Sequence, residues 1–229
     1  AAWASLLCCC CFSGAKLNWL EINLTMKKQL SVFLIFLLVL LGCDSQYASV
    51  KYAVAVSSDA EKISYSTYGA GETTLIFVHG WSCDSRYWHK QLSTFSKNYR
   101  VVTVDLAGHG HSSLGRLDYS MLSFAQDVKA VIEKDNINQA ILIGHSMGGG
   151  VIAEVARLMP KKVVAIIGID TLQNVAEDIP QNMIDEMSKP FEVDFQNAMQ
   201  AFVLPLLPDA TEEALIRWIQ EDMASAPKK

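Results

Sequence analysis

The chain has 229 residues, of which 51% are hydrophobic and 19% charged, and its formal net charge is −5. This length is sufficient for one sizeable hydrophobic core, and the composition excludes a disordered chain. The negative net charge and the lack of a basic stripe argue against nucleic acid as a partner.

The first 25 residues do not fit the rest of the chain. Residues 1–25 contain no methionine and include four adjacent cysteines, Cys8 to Cys11. Zinc sites use spaced cysteine pairs, which argues against a metal-binding cluster, and we also do not favour palmitoylation. We expect 1–25 to be non-native translation of upstream DNA, with the gene starting at Met26.

A signal peptide is predicted over residues 26–42. Lys27 and Lys28 precede a short apolar run that ends in small residues before Cys43, which is typical of a secretory signal. The run is too short to cross a bilayer as a helix, which takes about 20 residues. Its ending resembles a bacterial lipobox, in which cleavage before the cysteine leaves a lipid-modified N-terminus.

We therefore expect lipidation of Cys43, a short tether over 43–50, membrane attachment through the N-terminal lipid, and a location in the bacterial cell envelope. The alternatives are an ordinary cleaved signal with an incidental cysteine and an uncleaved anchor. Cys83 would be the one other cysteine of the mature chain, so no intramolecular disulfide is expected.

Strand and helix patterns alternate between residues 51 and 172. The β patterns are 51–56 and 62–69, which suggest a hairpin, followed by 73–80, 100–108, 139–145 and 163–170. Helical patterns occur between them at 84–97, 121–132 and 146–160. This alternation predicts an α/β fold with a mostly parallel, doubly wound sheet, whose ligand site lies at the carboxyl edge of the strands.

The region 173–229 has a different pattern, with helical segments and prolines and no β run. A helical insertion after a sheet strand predicts a helical cap over the carboxyl edge. We therefore divide the chain from residue 51 onward into a core over 51–172 and a cap region over 173–229.

The stretch GHSMGG places Ser146 between Gly144 and Gly148, after a predicted strand and before a predicted helix. In so tight a turn the serine adopts a strained backbone conformation, and small residues two positions before and after it avoid collisions. The serine also lies at a helix N-terminus, where the helix dipole favours negative charge. This arrangement indicates a nucleophile; the alternative is a turn that only serves helix–sheet packing.

Acyl transfer also needs two backbone N–H groups directed at the oxyanion. Met147, which follows the serine, would supply one of them. Trp81, in the loop after the strand pattern 73–80, would supply the other. His79 and Gly80 are expected to shape that loop.

A third stretch, DLAGHGHS, covers residues 105–112 just after another strand pattern. Asp105, His109 and His111 could act there as an acid and a base. We expect them instead to make hydrogen bonds that shape the loop.

In this order, FVHGW, DLAGHGHS and GHSMGG resemble the motifs of the α/β-hydrolase superfamily, and more narrowly those of its capped, single-domain, esterase-like members. The resemblance implies a serine hydrolase that cleaves a carboxylic ester or related acyl bond of a small molecule through an acyl-enzyme. It implies no metal and no cofactor. In this superfamily an acid and then a histidine follow the nucleophile along the chain.

The sequence departs from that order, because none of its five histidines follows Ser146. A serine hydroxyl is a weak nucleophile without an adjacent base. We favour a C-terminally truncated chain that lacks the last two strands and the histidine, is inactive as given, and has an unpaired sheet edge. The alternatives are that His109 or His111 acts as the base, or that the protein is a non-catalytic relative that binds a ligand or partner.

The acid and the reaction also have alternatives. Some relatives carry the acid after the strand that here ends at Asp170, although we favour a hinge or turn role for this residue. A C–C bond hydrolase or a cofactor-free haloperoxidase-like enzyme would use the same serine, and either is an alternative to ester hydrolysis.

Overall fold

A computed structural model describes residues 50–172, 178–208 and 211–227. Cys43, the predicted signal 26–42 and the segment 1–25 lie outside the described residues, so the predictions made for them stay predictions. Among the residues that are described, no helix has the length and apolar character needed to span a membrane.

Six strands of the described chain form one sheet. They are β1 (Lys51–Val56), β2 (Lys62–Tyr68), β3 (Thr73–Val78), β4 (Arg100–Val104), β5 (Gln139–His145) and β6 (Val163–Ile169). Their order across the sheet is β1-β2-β4-β3-β5-β6. The neighbours β1, β2 and β4 pair antiparallel, whereas β4, β3, β5 and β6 pair parallel. The predicted hairpin and the mostly parallel sheet are confirmed.

Six α-helices accompany the sheet in the described residues. They are α1 (His89–Phe95), α2 (Met121–Lys134), α3 (Met147–Leu158), α4 (Gln181–Val193), α5 (Phe195–Val203) and α6 (Glu213–Ala224). The pattern at 84–97 predicts one helix, but the structure has a 3-10 helix over Ser85–Trp88 before α1. The tighter first turn follows from Asp84, whose carboxylate accepts a hydrogen bond from the Arg86 N–H at 2.8 Å.

The central strands are buried on both faces. Successive side chains of a strand point to opposite sides, so each of these strands contributes to two cores. One core joins the sheet to α2 and α3 and contains, among others, Ile76, Val102, Leu142, Phe124 and Val151. The opposite core contains Leu75, Phe77, Val101, Ile143 and Trp88.

The strand β6 pairs with β5 along one side and is the edge of the described sheet. Four of its apolar side chains, Val164, Ile166, Ile167 and Ile169, are between 42% and 57% exposed. Apolar side chains on both faces are typical of a strand inside a sheet, and an open edge of this kind is a template for another strand.

The helices α4 to α6 lie near the carboxyl end of β3. Trp81, in the loop after β3, contacts Phe191 of α4 and Phe195 of α5, with ring centroids 5.0 and 6.0 Å apart. Arg86 forms ion pairs with Asp84, at 2.6 Å, and with Asp222 of α6. These contacts bring the described part of 173–229 next to the edge where the strand-to-helix turns lie.

Candidate active site

Ser146 lies in the turn between β5 and α3. Its backbone angles are φ +50° and ψ −119°, and such a conformation costs a residue with a side chain about 1–3 kcal/mol. The Ser146 N–H donates to the carbonyl oxygen of Ile169 at 3.1 Å, which ties the turn to the end of β6. The residue is exposed. The structure therefore has the strained, accessible serine that the G-x-S-x-G spacing predicts.

Two glycines make this turn possible. A Cβ on Gly148 would lie 2.6 Å from the carbonyl oxygen of Val78 and 2.7 Å from that of His79, at the end of β3. A Cβ on Gly144 would overlap the carbonyl oxygen of Gly148. Because these neighbours are backbone atoms, α3 can approach the two strands only without side chains at both positions.

Gly148→Ala is expected to lower the free energy of unfolding by about 1–3 kcal/mol, because the added methyl group meets fixed backbone. Gly150→Ala is the matched control on the same helix, since a Cβ there meets only the flexible side chain of Met121, at 3.1 Å. The control should be neutral or stabilising by up to about 1 kcal/mol. Urea unfolding measures both variants, and equal effects would contradict the close approach of α3 to β3.

The loop after β3 passes beside the serine. A Cβ on Gly80 would lie 3.3 Å from the Cβ of Ser146, so the loop backbone and the serine are in contact. No described residue accepts a hydrogen bond from the N–H of Trp81, which follows Gly80. Met147 is the first residue of α3, so its N–H has no acceptor within the helix. The N–H groups of Met147, which follows Ser146, and of Trp81, in the adjoining loop, are thus available as donors.

His79 fixes the conformation of this loop from a fully buried position. Its Nδ1–H donates to the carbonyl oxygen of Gly80 at 2.8 Å, and its Nε2 accepts from the N–H of Leu106 at 3.1 Å. Both bonds together require the neutral ring. Burial, with a smaller contribution from His109, lowers the pKa of His79 to about 4. The prediction that His79 shapes the loop is confirmed.

Asp105 has the same role in the loop 105–112. Its carboxylate accepts from the N–H groups of Ser85 and His111, at 2.8 and 2.9 Å. Burial would raise the pKa of Asp105, but these donors outweigh it and hold the pKa below its usual range. The ring of His111 lies 3.3 Å from the same carboxylate, and its side chain is 80% exposed. The predicted loop-shaping role agrees with these contacts for Asp105, and for His111 it stays a prediction.

His109 is held at the inner side of the same loop. Its Nδ1 lies 3.1 Å from the carbonyl oxygen of Ala107. The ring packs against the rings of His79 and Phe124, with centroids 4.9 and 5.9 Å apart. Burial lowers the pKa of His109. These contacts agree with the predicted loop-shaping role of His109.

A cavity of about 220 Å³ is lined by His109, Trp81 and Met147, among other residues. The structure therefore brings this histidine and both predicted oxyanion donors to one cavity. No described histidine forms a hydrogen bond with the side chain of Ser146. Within the described residues, the site has a serine and two donors, and it has no base bonded to the serine.

The lowered histidine pKa values predict a stability that depends on pH. The pKa values of His79, His109 and His145 are all lowered by burial, so below pH of about 6.5 the unfolded chain binds protons that the folded chain does not. The free energy of unfolding should therefore fall as the pH decreases from about 6.5 towards about 5. Urea unfolding at several pH values measures the slope. His109→Asn should reduce it and the exposed His89→Asn should not; identical slopes would contradict the buried neutral histidines.

Asp170 directly follows β6 and has φ +48°. It is exposed, and it lies near His145, whose pKa is lowered by burial and raised in smaller measure by the Asp170 charge. Asp170 is therefore one strand away from Ser146 on the carboxyl edge. The role of Asp170 as the acid stays a prediction.

A buried ion pair that was not predicted from the sequence supports the site. Arg116 donates to both oxygens of Asp127, at 2.6 and 2.8 Å, and to Asp59 at 2.8 Å. Asp127 also accepts from the N–H of Ala107 at 3.1 Å. The pair thereby anchors the loop that carries His109. A signal was available, because Asp127 lies three residues after Phe124 and so falls on the apolar face of α2.

A second cavity of about 630 Å³ also has Trp81 in its wall and is lined mainly by α4 and α5. Neither cavity contains a metal-binding arrangement: no group of three or more His, Cys, Asp or Glu residues in the described ranges is placed to hold an ion.

A family model described as alpha/beta hydrolase fold matches residues 73–213. A non-heme chloroperoxidase of Streptomyces lividans is 32% identical over 140 residues, which cover 57% of this chain and 51% of that protein. A bifunctional esterase/perhydrolase of Acinetobacter calcoaceticus is 33% identical over 137 residues, covering 57% and 50%. The chain thus spans about half the length of these curated relatives.

Solved structures share the fold. An esterase from Exiguobacterium antarcticum superposes with a TM-score of 0.68 at 20% identity, covering 77% of this chain and 69% of that one. A membrane phospholipase A superposes with a TM-score of 0.63 at 22% identity, covering 90% and 69%. At these identities the likeness shows the architecture alone.

Proposed function

The chain belongs to the α/β hydrolase fold family, and we propose that the protein is a serine hydrolase that cleaves a carboxylic ester or related acyl bond of a small molecule. The observation that carries this proposal is the backbone of Ser146, held at φ +50° and ψ −119° beside Gly80. Ser146 is exposed, so burial of its side chain does not account for the strain. Strain of this kind is concentrated at functional sites.

The proposed reaction proceeds through an acyl-enzyme. A base takes the Ser146 proton while Oγ attacks the substrate carbonyl, and the N–H groups of Trp81 and Met147 stabilise the oxyanion. The base then gives its proton to the leaving alcohol as the ester bond breaks. Water attacks the acyl-enzyme with the same help and releases the acid. No step requires a cofactor.

We propose that the base is a histidine that is not among residues 1–229. It would follow a further strand of a longer protein. Among the described strands β6 pairs with β5 alone, and its exposed apolar faces support a sheet that continues beyond it. Asp170, at the end of β6, is the acid candidate among the described residues. If this proposal is correct, the 229-residue chain is inactive. His109 or His111 as base, and a non-catalytic ligand-binding protein, are the competing proposals.

Covalent labelling tests the nucleophile. A fluorophosphonate probe should modify Ser146 in a chain extended to include the histidine, and Ser146→Ala should abolish the modification. Ser188→Ala is the matched control, because Ser188 lines the 630 Å³ cavity and should not react. The 229-residue chain should label only weakly. Strong labelling of it that His109→Asn removes would favour His109 as base, and no labelling of either chain would favour the binding protein.

A haloperoxidase-like activity is the second candidate. Two relatives of about equal similarity carry the names non-heme chloroperoxidase and bifunctional esterase/perhydrolase. A haloperoxidase-like enzyme would use the same serine and oxyanion donors as an esterase. Hydrogen peroxide would take the place of water as acceptor of the acyl group, so that a peracid forms. Comparing peracid formation with hydrolysis of p-nitrophenyl esters separates the two, and a C–C bond hydrolase would do neither efficiently.

We also propose that the protein is anchored in the bacterial envelope through a lipid on Cys43. The support is the signal-like sequence 26–42 and the cysteine that follows it. Radiolabelled fatty acid should enter the wild-type protein in a bacterial host and not Cys43→Ala. Cys83→Ala is the control, because Cys83 is buried and should leave incorporation unchanged. Incorporation into Cys43→Ala would contradict the anchor.

A further inference from the structure

We propose that the 630 Å³ cavity binds a hydrocarbon chain of the substrate, so that the enzyme prefers esters with a medium or long apolar chain over short ones. This inference rests on the proposed function, because it names the substrate class of the same site. It is carried by the cavity's lining, by its position relative to Trp81, and by its size.

The lining is almost entirely apolar. Helix α4 contributes Ile184, Met187 and Phe191, and helix α5 contributes Phe195 and Phe202. Water makes few favourable contacts with such a surface. A hydrocarbon chain that displaces this water is itself transferred out of water, which is favourable. Several of these side chains are exposed, among them Met187 at 65% and Phe202 at 41%, so the cavity is open to a ligand.

Two polar residues, Ser188 and Glu192, also lie in the described lining. They are too few to bind a sugar or a peptide, whose many polar groups would each need a partner when buried. The composition therefore favours an uncharged, apolar part of the substrate.

Trp81 connects this cavity to the chemistry. Its ring packs edge-on against Phe191 and Phe202, with centroids 5.0 and 6.5 Å apart. Its backbone N–H is the proposed oxyanion donor, and the residue also lines the 220 Å³ cavity with Met147. A chain held in the larger cavity would therefore extend from a carbonyl group held near Ser146.

The test measures binding, so it does not depend on turnover. The protein is the Ser146→Ala chain, and the probe is a polyene fatty acid whose fluorescence rises in apolar surroundings. Unlabelled competitors are the series from butanoic to dodecanoic acid and the primary alcohols of equal length. Competition should tighten roughly fourfold for each methylene group that leaves water, until the cavity is filled. The acid and alcohol series together show which side of the ester bond the cavity holds.

Ile184→Asp should weaken binding of the long alcohols at least about tenfold, because it places a charge in the apolar wall. Met183→Asp is the matched control: Met183 is the neighbouring residue of α4, is 49% exposed against 44% for Ile184, and does not line the cavity. Thermal unfolding checks that both variants fold. Ile184→Trp should shift the preference to shorter chains.

Affinity that does not depend on chain length, or equal losses in Ile184→Asp and Met183→Asp, would overturn the inference. That result is distinguishable from failure of the proposed function. Without a nucleophile, fluorophosphonate labelling of Ser146 fails while chain-length dependence remains; without an apolar chain site, labelling succeeds and the dependence is absent.

Discussion

Ser146→Ala and Ser146→Gly are both expected to reduce acyl hydrolysis by roughly 10³-fold to 10⁶-fold in a chain that contains the base. The two variants lack the same Oγ, so they should be equally inactive. They should differ in stability, because Ser146 has φ +50° and ψ −119°. Glycine adopts this backbone conformation without strain, whereas alanine is strained in it. Ser146→Gly should therefore be more stable than Ser146→Ala by about 1–2 kcal/mol.

Ser225 supplies a control with the opposite sign. It ends α6 at φ −82° and ψ −10°, an ordinary right-handed conformation. There Ser225→Ala should be more stable than Ser225→Gly by up to about 1 kcal/mol, because glycine loses more conformational freedom on folding. Urea unfolding of the four variants gives the comparison. If glycine were the less stable substitution at both positions, the strained turn at Ser146 would be ruled out.

Arg116→Leu is expected to lower the free energy of unfolding by about 3–5 kcal/mol, because it leaves a buried carboxylate without its cation. Asp127 is 0% exposed, and the side chain of Arg116 is 2% exposed. Without Arg116, Asp127 would keep the hydrogen bond from the N–H of Ala107, which does not neutralise its charge. The same change should loosen the loop that carries His109.

Two further variants separate the ion pair from general effects of removing arginine. Arg157→Leu removes an exposed arginine that pairs with Glu154 on α3 and should cost less than about 1 kcal/mol. The double variant Arg116→Leu with Asp127→Leu removes both charges and should recover part of the loss. A double variant as unstable as the sum of its single changes would show that the two side chains do not interact.

The alternation of strands and helices followed from the sequence because its signals are local. The apolar run from Ala140 to Gly144 and the glycines around Ser146 act over a few residues, and the structure forms β5, the turn and α3 there. The buried roles of His79 and Asp105 were also predictable, since each lies at the end of an apolar strand, beside a glycine-containing loop.

The partners of Asp127 were not predictable, although its burial was. Arg116 is 11 residues away and Asp59 lies in the turn between β1 and β2, so only the folded chain brings the three charges together. The apolar run of β6 was equally ambiguous. Its composition is that of a strand covered on both faces, and its exposure depends on which strands lie beside it.

The sequence by itself determined the fold class and the strained turn at Ser146, because these depend on residue type at fixed spacing. Only the tertiary structure decided what surrounds that turn. The contact of Gly80 with Ser146, the burial of Arg116 and the apolar cavity between Trp81 and the helices α4 and α5 each join residues from distant parts of the chain. Such contacts depend on how the elements pack, which local periodicity does not encode.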